Sequence, residues 1–71
     1  MTNTAELKAA IMRASMTAHM LAVAIGISDQ SLSLKINNVR EFKQSEIQAI
    51  CNILKLPPEN REKIFFAVNV E

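Results

Sequence analysis

Tryptophan and tyrosine are absent from this 71-residue chain, and three phenylalanines are its only aromatic residues. A core without large rings must be built from Ile, Leu, Val, Met and Ala, side chains that suit packed helices. One glycine and two prolines, the latter adjacent, leave few of the turn-makers that strands and hairpins need. The single cysteine, Cys51, excludes an internal disulfide and fits a reducing compartment. The unbroken apolar run around Met20 to Ile25 is far too short to cross a bilayer. The first residues lack the charged and long apolar layout of a secretory leader, so a cytoplasmic location is expected. Charge of one sign is also missing. The net charge is +1, whereas domains that live on nucleic acid are usually clearly basic, because phosphate neutralisation supplies most of their non-specific affinity.

What remains is one small all-α domain of five short helices spanning residues 1–71. A domain of this length buries only about 60% of its unfolded surface, so nearly every apolar side chain must be used. Asn3 and Glu6 have capping-box spacing, and Leu7, Ala10, Ile11 and Ala14 recur on one face of a first helix that ends near Ser15. Thr17 caps a second helix, with Met16 and Leu21 at the spacing of a hydrophobic staple, and Gly26 ends it. Ser28 caps a third helix that runs to about Ile36 and stops at Asn37-Asn38. Phe42 is expected to anchor the following loop. A fourth helix covers roughly Gln44 to Leu54, with Ile47, Ile50, Cys51 and Leu54 inward. Pro58 and Glu59 suit the first turn of a fifth, buried through Ile64, Phe65 and Val68.

Residues 17–37 carry the strongest signal. Leu21, Ile25, Ile27 and Leu32 are expected to be buried, Ala22 must be small where the third helix crosses it, and Gly26 sits in the turn. This is the skeleton of a helix-turn-helix, a motif that presents its second helix to a partner, usually in the DNA major groove.

On those residues, together with Lys35-Ile36-Asn37, Glu41-Phe42, Ser45-Glu46-Ile47 and Ile64-Phe65-Phe66, the stretch from Met16 to Phe66 resembles the Cro/C1-type helix-turn-helix family and its lambda-repressor-like fold. It is similar in particular to the small regulators of temperate phages of Gram-positive bacteria. The resemblance implies five helices, a third helix placed in the major groove, and a regulator of the choice between lysis and lysogeny. The chain departs from the family at its surface. Polar residues are usual where Ala18, His19 and Met20 stand, charged ones where Val23-Ala24 stand, Arg where Leu34 stands, Gly where Asn38 stands, and Thr or Ser where Lys43 opens the fourth helix.

Two readings compete for that surface. For DNA, Gln30, Ser31, Ser33 and Asn37 lie along the third helix with Ser28 at its start; Gln suits adenine and Ser several base edges. Arg40 and Lys43, with Arg13 and Lys35 nearby, could hold phosphates, against which Asp29 and Glu41 work. For protein, Ala18, Met20, Val23, Ala24 and Leu34, with His19 at the rim, form an apolar patch of the kind that marks interaction sites, and Met adapts well to such surfaces. The expected partner is then the DNA-binding domain of a phage repressor. The chain would be an antirepressor, as the resemblance to small Cro-like modulators of repression implies, with operator DNA bound weakly or through that partner. The alternative is a Cro-like repressor reading its operator directly. No enzyme, cofactor or small-molecule substrate is expected: one His and one Cys make no metal set, His19 has no orienting partner visible in the sequence, and Cys51 reads as a small core residue.

Overall fold

The computed structural model describes residues 1–67. Five helices follow one another: α1 (Thr4–Arg13), α2 (Ala18–Ile25), α3 (Asp29–Ile36), α4 (Gln44–Leu54) and α5 (Pro58–Phe65), with no strand among the described residues. None of these helices is long and apolar enough to cross a membrane.

Each start has a local cause. The Asn3 side chain accepts the Glu6 N–H at 3.1 Å, Thr17 Oγ1 accepts the Met20 N–H at 3.1 Å, and Ser28 Oγ accepts the Ser31 N–H at 3.0 Å. Such bonds satisfy helix-terminal donors that would otherwise be orphaned. Lys43 opens α4 and cannot cap through its side chain. Instead the Glu46 carboxylate reaches back to the Lys43 N–H at 2.8 Å, half of a capping box that serves without the usual hydroxyl. Pro58 stands at the first position of α5, where its missing N–H costs nothing.

The ends are less conventional. Gly26 closes α2 in the left-handed conformation at φ 79°, but Ser15, Asn38 and Lys55 also adopt positive φ, at 57°, 64° and 55°. For residues with a Cβ this conformation costs roughly 1–2 kcal/mol. At Asn38 the side chain recovers it. Its amide accepts the Thr2 N–H and donates to the Thr2 carbonyl, both at 2.8 Å. A glycine there would supply the backbone but not the clasp. α1 itself ends at Arg13, two residues before the expected stop, with Ser15 turning the chain.

The core is aliphatic. Leu7, Leu21, Leu32, Ile50 and Ile64 are fully buried, joined by Ala10, Ile11, Ala22, Ile36, Ile47, Cys51, Leu54 and Phe65. Ile25 and Ile27, expected to be buried, are half-buried: they flank the exposed Gly26 at the tip of the turn, where nothing lies beyond them, and pack on the core from one side only. Ala14 is likewise half-buried, and Val68 lies outside the described residues. Phe42 meets Phe65 edge to face, ring centroids 5.5 Å apart, and so anchors the loop between α3 and α4. α2 packs on α3 and α4, α1 on α5. The N-terminal segment is tied at both sides: the Asn3 N–H donates to the Ile64 carbonyl at 2.6 Å and Thr4 Oγ1 to the Ile36 carbonyl at 2.6 Å.

One ion pair lies inside this frame. Lys35 Nζ on α3 meets both carboxylate oxygens of Glu46 on α4 at 2.7 and 2.6 Å, and the two side chains are only 8% and 9% exposed. Burial alone would raise the Glu46 carboxyl, but the hydrogen bonds from Lys35 and the Lys43 N–H, together with the charges of both lysines, outweigh it and hold the group below its ordinary value of 4.5. A carboxyl lowered in the folded state adds stability that is fully present above that ordinary value and disappears as the pH falls through the folded one.

Removing one partner strands a buried charge, which costs about 3–5 kcal/mol. A domain of this size has roughly 4–10 kcal/mol in total. Glu46→Ala is therefore expected to leave the chain partly unfolded at 37 °C, while Lys35→Met with Glu46→Leu together retains most of the stability; equal melting temperatures for the single and double variants would contradict this. Glu46→Gln should flatten the acid limb of a urea-midpoint against pH curve below about pH 4.5. Lys55→Gly, by relieving the left-handed strain at the end of α4, should raise stability by about 0.5–1 kcal/mol in the same denaturation measurement.

Candidate interaction face on α2 and α3

The buried sides of α2 and α3 dictate what is left outside. Leu21 and Ala22 turn inward on α2, so Ala18, His19, Met20, Val23 and Ala24 are exposed, with Met20 at 48% and Val23 at 65%. This helix carries no acid or base apart from His19. On α3, Leu32, Lys35 and Ile36 turn inward, leaving Gln30, Ser33 and, at the cap, Asn37 in solvent.

The exposed side chains do not form one undivided patch. Ser28, Gln30, Ser31, Leu34 and Arg40 line a shallow groove along one flank of α3. Ala18, His19, Asp29, Ser33 and Asn37 line a second depression on its other flank, with Lys8 of α1 and the buried Ile36. Leu34, expected as part of the exposed apolar patch of α2, is half-buried and belongs to the first groove; its carbonyl accepts the Val39 and Arg40 N–H groups at 2.8 and 3.2 Å, folding the loop back over it. Val39 itself is 69% exposed and adds an apolar side chain that sequence reasoning passed over, because a loop has no periodicity to reveal which side faces out.

The polar residues are partly engaged. Ser28 Oγ is occupied as the α3 cap, and Ser31 is half-buried. Asn37 Nδ2 donates to the Ser33 carbonyl at 2.9 Å. Gln30 makes no side-chain hydrogen bond among the described residues and is the freest candidate for a base edge. Arg40 and Lys43 are exposed and could meet phosphates. Lys35 could not: it is spent on Glu46 in the interior, so the expectation of a phosphate contact there is overturned by burial.

Asp29 has a use that the sequence hid. His19 Nδ1 lies 2.8 and 2.9 Å from its two carboxylate oxygens, a bridge from the first turn of α2 to the first turn of α3. The pair is largely solvent-exposed and cancels the acid's charge only while the imidazole is protonated. Cys51 is buried, and burial raises its thiol, with the Arg61 charge acting against that; the side chain fills space on α4. No cluster of three or more His, Cys, Asp or Glu side chains suited to a metal comes together among the described residues.

Residues 3–68 match the model of a family described as Protein of unknown function (DUF739). The chain belongs to the DUF739 family. No curated protein matches it. The family match spans all five helices, so the exposed faces of α2 and α3 lie within the family's domain.

The His19–Asp29 bridge is exposed, and such pairs contribute about 0–1 kcal/mol. His19→Ala should therefore lower the melting temperature by no more than a few degrees with the helical circular dichroism spectrum unchanged; a collapse of the fold would show that the bridge holds α2 and α3 together.

Proposed function

We propose that α2, its glycine turn and α3 act as a helix-turn-helix whose outer face grips a protein: the DNA-binding domain of a phage repressor, in a cytoplasmic lysis–lysogeny switch. The observation that carries this reading is the exposed apolar run of α2. Met20, Val23, Ala18 and Ala24 present carbon where a phosphate contact would need a donor. Exposed apolar surface of this kind is stabilised by a partner rather than by water. The burial of Lys35 strengthens the argument, since it removes one of the few cations from the reach of DNA. Covering this face would keep the repressor's own reading helix from its operator, which is how an antirepressor acts.

A second reading, a Cro-like repressor that binds operator DNA by itself, is favoured by Gln30 standing free on α3 with Arg40 and Lys43 exposed nearby. A glutamine can bond adenine in a bidentate manner, and two exposed cations supply a modest salt-sensitive affinity.

The readings separate by experiment. Met20→Asp and Val23→Asp should each abolish repressor binding in calorimetry at least tenfold while the far-ultraviolet spectrum and melting temperature stay close to the parent's, because both side chains are already in solvent. If the pure chain instead shifts operator DNA at low salt, and Gln30→Ala and Arg40→Ala weaken that shift, the direct repressor reading replaces it.

A further inference from the structure

A protein meets an oxidant first through its thiols and thioethers, and this fold treats the two kinds differently. Cys51 is only 8% exposed, and burial raises its thiol, so it offers little of the reactive thiolate. The chain has four methionines. Met16 is half-buried against the core, whereas Met1, Met12 and Met20 are exposed, Met12 at 76% and Met20 at 48%. Their surroundings separate these three. Met1 borders a hollow that also holds the Glu41 carboxylate, and Met12 precedes the exposed Arg13 on α1. Met20 stands among the exposed Ala18, Val23 and Ala24 of α2, a helix with no acid or base apart from His19. Its backbone is fixed by the bond from its N–H to Thr17 Oγ1, so the side chain is presented from a set point.

We propose that Met20 is a reversible oxidation site, through which a hydroperoxide releases the partner held on α2. The proposal rests on the protein-binding reading of that face and adds its regulation. The chemistry needs only the thioether and the peroxide. A sulfur lone pair forms an S–O bond to one peroxide oxygen as the O–O bond breaks. The sulfur is oxidised by two electrons, and the departing oxygen is reduced and takes up the transferred oxygen's proton, leaving hydrogen peroxide as water. The product is a polar, chiral sulfoxide in place of a flexible apolar side chain. On the free chain the new oxygen meets the water that already reaches Met20, so the fold is unaffected. Under a partner that water is lost, and the face has nothing to replace it. Ala18, Val23 and Ala24 carry no side-chain donor. A neutral His19 that gives its Nδ1 proton to Asp29 presents only an acceptor at Nε2. A polar group buried without a partner opposes binding, so oxidation acts on affinity rather than on folding.

The test treats the full chain with hydrogen peroxide, locates the sulfoxides by peptide mass spectrometry and measures binding to the repressor's isolated DNA-binding domain by calorimetry. In the free chain Met20 should oxidise several-fold faster than Met16, with Cys51 still present as a thiol. The oxidised chain should keep its far-ultraviolet spectrum and bind about tenfold more weakly, as expected for one polar group buried without a partner. Reduction of both sulfoxide epimers by the A-type and B-type methionine sulfoxide reductases should restore the affinity. Met20→Leu should bind equally before and after peroxide, whereas Met12→Leu should lose affinity as the parent does. A saturating amount of the repressor domain should slow the oxidation of Met20, a readout that needs no substitution. Unchanged affinity of the oxidised chain, a loss that Met20→Leu does not prevent, Met20 oxidation as fast in the complex as in the free chain, or unfolding on oxidation each overturns the site while leaving the protein-binding reading intact. If the untreated chain does not bind the repressor domain, that reading falls and the oxidation site falls with it.

Discussion

The buried contact between Lys35 and Glu46 is the constraint around which the outer half of the molecule is arranged. Few domains of 71 residues can afford to take two full charges out of water. This one does so with both carboxylate oxygens engaged and with one of them also accepting the Lys43 N–H, so a single acid neutralises α3, caps α4 and joins the two. The pair lies on the side of α3 that Leu32 and Ile36 also bury, so charge and apolar packing agree on one rotation of the helix. With Lys35, Leu32 and Ile36 inward, Gln30, Ser33 and Asn37 are outward by necessity. The exposed face of α3 is thus set from behind.

The same contact changes what charge counting means. Lys35 enters the total of +1 but offers no field to a partner, and its neutraliser Glu46 offers none either. With His19 neutral, as the +1 total counts it, the surface contact leaves the Asp29 carboxylate charged. The groups left to act at long range near α2 and α3 are Lys8, Arg13, Arg40 and Lys43, set apart on different elements, with Asp29 and Glu41 among them. A weak and divided field of this kind is a poor substitute for the continuous basic stripe by which nucleic acid is usually attracted, and it leaves the apolar run of α2 as the most distinctive property of the face.

Much of this was legible in the residues, and the reasons are local. Thr17, Ser28 and Asn3 state helix starts because short polar side chains bond the backbone directly, and Gly26 states a stop because only it takes positive φ at no cost. Leu21, Leu32, Ile47 and Ile50 state an inward face by their spacing. What stayed hidden depended on groups far apart in the chain. Nothing in the run Leu34-Lys35-Ile36 distinguishes a solvated lysine from one paired inside, because the acid that decides it is eleven residues away. The His19–Asp29 bridge and the two-bond clasp of Asn38 on Thr2 are likewise products of tertiary approach. The candidate face follows from residue type, but its division into two flanks of α3 depends on the rotation of that helix, which tertiary packing of Leu32, Lys35 and Ile36 decides.

The fastening of the first residues has a topological consequence. Beyond the Asn38 clasp and the Asn3 bond to Ile64, the Ala67 N–H donates to the Met1 carbonyl at 3.1 Å, so the two ends of the described chain lie side by side. In space the five helices make a closed circuit, with that hydrogen bond standing where a peptide link could run. The order in which the helices are written in the gene is then separable from the arrangement they adopt: a short linker joining the ends, and a new opening at an exposed turn, would traverse the same circuit from a different starting point and preserve the burial of every core side chain.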